Sequence, residues 1–198
     1  MPVQPVYVII DTSTSMRDDK KISAVNEGLR IMVESLRNNP IAFELVSLSI
    51  ICFSDEAEQV LPLTPLYQIK PSQIPELKAK GWTNIESSLR LLKKCIDKEV
   101  VKTDIIKEIK GDKKPLVFFL SDGGESRGKW KNFYSEWEKL HKQLSGFYVL
   151  AAFGGQYKTH FKELGKMAFG DKYVMKIDQV TSENIINWFV WVSQSIPT

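Results

Sequence analysis

Five consecutive residues, Asp11-Thr12-Ser13-Thr14-Ser15, present one carboxylate and four hydroxyls directly after the apolar run Val6-Tyr7-Val8-Ile9-Ile10. Two later segments are of the same kind. Gly81-Trp82-Thr83-Asn84 offers a further hydroxyl, and Asp122 follows Phe119-Leu120-Ser121 and precedes Gly123-Gly124. Oxygen donors without His or Cys suit a hard cation; Mg²⁺ takes six oxygens in near-octahedral geometry, at about 2.0–2.1 Å, and keeps several waters. Hydroxyls are neutral and leave such a metal electron-poor. If the aspartates act through water, the cation favours one more anionic ligand from outside. Plainer roles compete for the same residues. Asp and Ser are preferred helix caps, Thr83-Asn84-Ile85-Glu86 has capping-box spacing, and an Asp before two glycines suits a turn. Asp18 and Asp19 lie nearer the helix start at Ile22, which leaves the earlier hydroxyls surplus to capping, and Asn84 can cap in place of Thr83.

The elements that would bring these oxygens together are legible in the hydropathy pattern. Val6 to Ile10, Leu116 to Leu120, Phe147 to Phe153 and Tyr173 to Ile177 are apolar without alternation, as strands covered on both faces are. Helical spacing links Ile22, Val25, Leu29, Met32, Val33 and Leu36, and Asn39-Pro40 ends that helix. The same spacing recurs in Ile85, Leu89, Leu92 and Ile96, in Trp130, Phe133, Trp137, Leu140 and Leu144, and in Ile185, Phe189 and Val192. Leu45 to Phe53 and Glu58 to Leu63 are separated only by Ser54-Asp55-Glu56, too short for a parallel crossover, so they form a hairpin; Pro62 suits its edge strand. These elements predict one α/β domain over residues 1–198. Its sheet is doubly wound, Rossmann-like and mostly parallel, with one antiparallel edge strand and helices on both faces. Ligands of such sheets bind beyond the carboxyl ends of the strands, where strand order reverses. Asp11 and Asp122 each close a strand, and both face that crevice if their strands are neighbours.

Asp11-Thr12-Ser13-Thr14-Ser15, Thr83 and Asp122 together resemble the metal-ion-dependent adhesion site (MIDAS) of von Willebrand factor A (vWA) domains: Asp-x-Ser-x-Ser, a distant Thr, and a distant Asp followed by Gly. The resemblance runs nearly the whole chain and is closest to bacterial stand-alone domains of the TerY type, found in tellurite-resistance and related stress systems. Val6 to Asp11, Ala24-Val25-Asn26-Glu27-Gly28-Leu29, Leu61-Pro62-Leu63-Thr64-Pro65-Leu66 and Trp191-Val192-Ser193 are similar to theirs. The resemblance implies that Ser13, Ser15 and Thr83 ligate Mg²⁺ (or Mn²⁺) directly and that Asp11 and Asp122 act mainly through water. It also implies a binding module rather than a catalyst, whose partner protein supplies an Asp or Glu carboxylate. TerY-type domains are encoded beside protein kinases and phosphatases, which makes such enzymes the expected partners. The chain departs from the pattern twice. Thr14 stands where a Gly usually separates the serines, and Gly123-Gly124-Glu125-Ser126-Arg127-Gly128 replaces the usual sequence after the distant Asp.

Composition narrows the remaining classes. With 43% hydrophobic and 26% charged residues and a net charge of +3, the chain has a core-forming composition and too little positive charge to argue for nucleic acid. Cys52 and Cys95 are distant and in apolar contexts, which predicts buried thiols in a reducing compartment. Met1-Pro2-Val3-Gln4-Pro5 carries no basic n-region or cleavage site, and no apolar run is long enough to span a bilayer. The expectation is a cytoplasmic protein with no membrane or nucleic-acid partner. His141 and His160 lack partners at zinc spacing, no phosphate-cradling Gly-x-x-x-x-Gly-Lys-Ser/Thr occurs, and Asp55 and Glu125 read as solvated loop acids. The rival expectation is a Mg²⁺-dependent phosphohydrolase using Asp11 or Asp122, which lacks a second nearby carboxylate to hold the metal. A scaffold with a purely structural metal is the third.

Overall fold

The computed structural model describes residues 2–121, 130–152, 160–177 and 181–196. The first apolar run becomes strand β1 (Gln4–Asp11), buried along its whole length. Its alternate side chains enter two separate cores. Val6, Val8 and Ile10 join one, while Tyr7 and Ile9 join the other. A strand with apolar groups on both faces can only be central, and β1 pairs in parallel with β2 (Val46–Phe53) on one side and β4 (Leu116–Ser121) on the other. The edge strand β3 (Ala57–Pro65) runs antiparallel to β2, with Pro62 exposed on it. Beyond β4 lie β5 (Gly146–Ala152) and β6 (Val174–Ile177), giving the order β3-β2-β1-β4-β5-β6. The chain leaves β1 toward β2 and returns to β4 on the opposite side, so strand order reverses between β1 and β4.

Helices cover both faces. Helix α1 (Lys21–Arg37) and helix α6 (Ser182–Ser195) bury residues such as Leu29, Val33, Trp188 and Phe189 in the core of Val8 and Ile10. On the other face α3 (Ile85–Glu99), α4 (Tyr134–His141) and α5 (His160–Met167) contribute Leu89, Leu92, Trp137, Leu140 and Leu164 to the core of Tyr7 and Ile9. Among the described residues no helix is long and apolar enough to cross a membrane.

Local departures from the predicted elements have local causes. Residues 14–20 form a 3-10 helix, and α1 starts after Lys20, its N-cap, which is left-handed (φ 58°) and makes no side-chain cap hydrogen bond. Helix α1 ends at Arg37 with Asn38 as its C-cap, just before the Asn39-Pro40 pair, and the Asn39 carboxamide accepts from the amides of Ile41 and Ala42, starting a short helix α2 (Pro40–Leu45) that takes Leu45 out of the predicted strand. The predicted helix over 130–144 is 3-10 from Trp130 to Phe133 and α-helical only from Tyr134 to His141. Phe153 lies outside the described residues.

Gly28 sits where α1 meets α6. A Cβ there would lie 2.2 Å from Cδ2 of the buried Phe189 ring. Ala is the better helix former by about 1 kcal/mol, yet Gly28→Ala is expected to lower stability by about 1–3 kcal/mol, because overpacking a filled core costs more than propensity returns. The midpoint of urea unfolding checks this; a midpoint at or above wild type contradicts the tight crossing.

His141 lies among aromatic rings, 4.4 Å from Phe169 and 5.7 Å from Trp137 between centroids, and its Nε2 has no hydrogen-bond partner among the described residues. Burial pushes its pKa below the ordinary 6.5. The unfolded chain therefore takes up a proton at a pH where the folded one resists it. The contribution is fully present above the unfolded pKa and is lost as pH falls through the folded value. Melting temperature followed downward from neutral pH should fall further for wild type than for His141→Phe, and parallel curves would contradict this.

Candidate metal centre

Asp11, the last residue of β1, is fully buried, and its carboxylate is held at both oxygens. Oδ1 accepts from the amide of Ser13 at 2.8 Å, and Oδ2 accepts from the Ser121 hydroxyl at 2.8 Å. The second contact follows from the register. Ile10 pairs with Leu120, so Asp11 and Ser121 are the next residues along on neighbouring strands. Sequence reasoning missed Ser121; its signal was a polar residue closing an otherwise apolar strand immediately before Asp122. Asp122 itself, and the glycine-rich segment 123–128, lie outside the described residues.

The turn made by Asp11 and the Ser13 amide folds the two serines together, with their hydroxyls sharing a hydrogen bond at 3.0 Å. Ser13 is buried and Ser15 half-buried. Two oxygens on adjacent octahedral positions of Mg²⁺, each at about 2.0–2.1 Å, lie about 2.9 Å apart. The hydroxyl pair already has nearly that separation, and its chemistry fits the cation.

The segment carrying Thr83 is laced onto this loop. Lys80 N donates to Thr12 O at 2.8 Å, and Gly81 O accepts from both the amide (3.0 Å) and the hydroxyl (2.8 Å) of Thr14. Thr14, where the adhesion-site pattern usually has Gly, thus does not strain the turn; its added hydroxyl clamps the neighbouring loop. Gly81 has φ +69°, and a Cβ there would lie 2.2 Å from Asp55 Oδ2, so the close approach requires glycine. Asp55 is accordingly half-buried against this loop rather than a purely solvated acid, and its carbonyl accepts from Asn84 Nδ2 at 3.0 Å. The cap of α3 belongs to Asn84, whose side chain accepts from Ser87 N at 3.2 Å, so capping is not the role of the buried Thr83. Trp82, between Gly81 and Thr83, is 64% exposed.

Among the described residues no cluster of three or more His, Cys, Asp and Glu could hold a metal. Cys52 and Cys95 are free, and burial first of all pushes both thiols up, Cys95 to about 11, so both stay protonated at neutral pH.

Residues 6–125, more than half the chain, match the family described as von Willebrand factor type A domain. The chain belongs to that family. Its likeness to solved structures spans nearly all its length. The SpaC pilus adhesin of Lactobacillus rhamnosus GG superposes with a TM-score of 0.77 at 12% identity, over 99% of this chain and 31% of the adhesin. The vWF domain of the type V pili tip protein Mfa5 from Porphyromonas gingivalis gives 0.72 at 11%, over 99% and 96%. Proximal thread matrix protein 1 of the mussel byssus, solved with a zinc-occupied MIDAS motif, gives 0.66 at 17%, over 98% and 45%. This vWA chain thus spans less than a third of the adhesin and under half of the mussel protein, and at these identities the likeness is one of fold. No curated protein matches it in sequence.

Proposed function

We propose that this vWA domain is a metal-ion-dependent protein-binding module. Ser13, Ser15 and Thr83 ligate Mg²⁺ (or Mn²⁺) directly, Asp11 and Asp122 act mainly through water, and an Asp or Glu of a partner protein completes the shell. The observation that carries the reading is the Ser13–Ser15 hydroxyl pair, 3.0 Å apart beside a buried Asp11 whose two oxygens are already hydrogen-bonded. A carboxylate held in this way orients waters on a cation better than it attacks a phosphoryl group, which favours binding over phosphohydrolase chemistry. The exposed Trp82 indole stands next to Thr83 and offers a partner segment an apolar contact flanking its carboxylate. The likeness to TerY-type domains in the Asp11, Ala24 and Leu61 segments supports a cytoplasmic, bacterial stress or tellurite-resistance-type setting, with a kinase or phosphatase of the same system as partner.

Turnover assays test the choice between binding and catalysis. With Mg²⁺ or Mn²⁺ the protein is expected to leave phosphomonoesters, phosphoproteins and nucleotides unhydrolysed. Robust hydrolysis abolished by Asp11→Asn would overturn the binding reading.

A further inference from the structure

At the other end of the sheet, a groove of about 470 Å³ opens between the end of α3, the segment leading into β4, and the residues after α4. Its floor includes Ile96, Val100 and Pro115, and Lys113, Lys114 and Lys142 line it with them. These three lysines meet no carboxylate among the described residues; Lys114 Nζ donates only to the carbonyl of Lys142, at 3.3 Å. Among its described lining residues the groove has one acid, Asp112, which accepts from the amide of Val101 at 2.8 Å; against Lys113, Lys114 and Lys142 it leaves the lining net positive.

The groove continues into an arm. Val101 lines the groove and also starts a stem closed by Asp112 N donating to Val101 O (2.9 Å) and by the paired bonds between Asp104 and Ile109 (3.0 and 2.9 Å). Asp104 Oδ1 accepts from the amides of Ile106 and Lys107, fixing the tip. On that tip Ile105 is 87% and Ile106 95% exposed, with Val101 and Ile109 also exposed below them. Ile105 and Ile106 on the built turn, with Val101 and Ile109 exposed on its stem, beside an apolar-floored groove whose lysines outnumber its acid, are features that folding of this chain does not require.

We propose that this surface docks an acidic protein segment carrying aliphatic or aromatic side chains. The partner's apolar groups cover Ile105, Ile106 and the groove floor, while its carboxylates meet Lys113, Lys114 and Lys142. Charge complementarity names the sign of the occupant. The concave aliphatic floor suits a side chain better than a bilayer, and among the described residues no aromatic or Arg lines it to stack nucleobases. The groove precedes β4 and the metal centre follows it, so the two lie about 20 Å apart along a six-residue strand. The domain can then join two proteins, one at each pole.

A displayed library of random dodecapeptides, selected on the protein in EDTA so that the metal centre is silent, tests this. Enriched peptides are expected to combine Asp or Glu with Leu, Ile or Phe. Their affinity should fall about tenfold or more in the charge reversal Lys113→Glu/Lys142→Glu and several-fold in Ile105→Ser/Ile106→Ser, and stay unchanged in Ser13→Ala/Ser15→Ala. Enrichment without acidic residues, or equal binding by the charge-reversed protein, overturns the proposal. So does capture by phosphatidylserine vesicles, lost on the same reversal, when no peptide is selected.

Discussion

Alanine at both Ser13 and Ser15 is expected to remove divalent-cation binding altogether while leaving the sheet folded. The two hydroxyls bond to each other, at 3.0 Å, so removing both leaves neither orphaned. The backbone of the turn is held by other atoms: the Ser13 amide still donates to Asp11, and the Met16 amide to Ser13 O. Circular dichroism of the double variant should therefore match wild type. Titration calorimetry should give one site for Mg²⁺ or Mn²⁺ in wild type and none in the variant. Because the ion binds the folded chain alone, a hundredfold excess over Kd should stabilise wild type by about 2.7 kcal/mol and the variant not at all. Equal affinity in the two proteins would remove the serines from the site.

The second large effect lies away from the metal. Asn26 on α1 is buried and satisfies both backbone groups of Leu77: Nδ2 donates to Leu77 O at 2.9 Å, and Oδ1 accepts from Leu77 N at 2.8 Å. Leu77 lies three residues before Lys80, whose amide ties this segment to Thr12, and the chain then passes through Gly81 to Thr83. Asn26→Ala strands two buried backbone groups, at about 1–3 kcal/mol each, so a loss of about 2–6 kcal/mol is expected. Its metal affinity should also weaken several-fold, since the loop presenting Thr83 loses an anchor. Gly28→Ala is the control, destabilised at the α1–α6 crossing with no contact to that loop. Both proteins are titrated under conditions where each is folded. Affinity lost equally in both would show that general destabilisation, not loop position, is responsible.

These two predictions mark what was legible in the chain and what was not. The unalternating run Val6 to Ile10 announced a central strand because its faces enter separate cores, and the short Ser54-Asp55-Glu56 link with Pro62 announced the antiparallel edge. Asp11, Ser13 and Ser15 were legible because the turn that gathers them is local. The contacts that fix the site were not. Ser121 reaches Asp11 across 110 residues of sequence, and Asn26 reaches Leu77 across 51, so only the strand order and the α1 packing bring them together. Asn26 and Gly28 stand in one of the family-like segments, and their physical roles differ. Asn26 is a bidentate anchor for a distant loop, whereas Gly28 leaves room for the Phe189 ring. Thr14 looked like a misfit at a glycine position, because its bond to Gly81 O depends on a loop 67 residues away. The short helix after Asn39 was hidden for a different reason: the Asn-Pro pair that stops one helix is also a good start for the next.

If hydroxyls hold the cation as proposed, one coordination position stays open for a partner's carboxylate. A crystal structure of the protein grown with Mg²⁺ and a short glutamate-containing peptide tests it most directly. The expected result is one ion with the Ser13 and Ser15 hydroxyls at about 2.0–2.1 Å, Asp11 reaching it through water, and a peptide carboxylate in the coordination shell. An ion bound directly by the Asp11 carboxylate with the serines turned away, or a shell closed by this chain alone with the peptide elsewhere, would rule out a hydroxyl-held cation open to a partner.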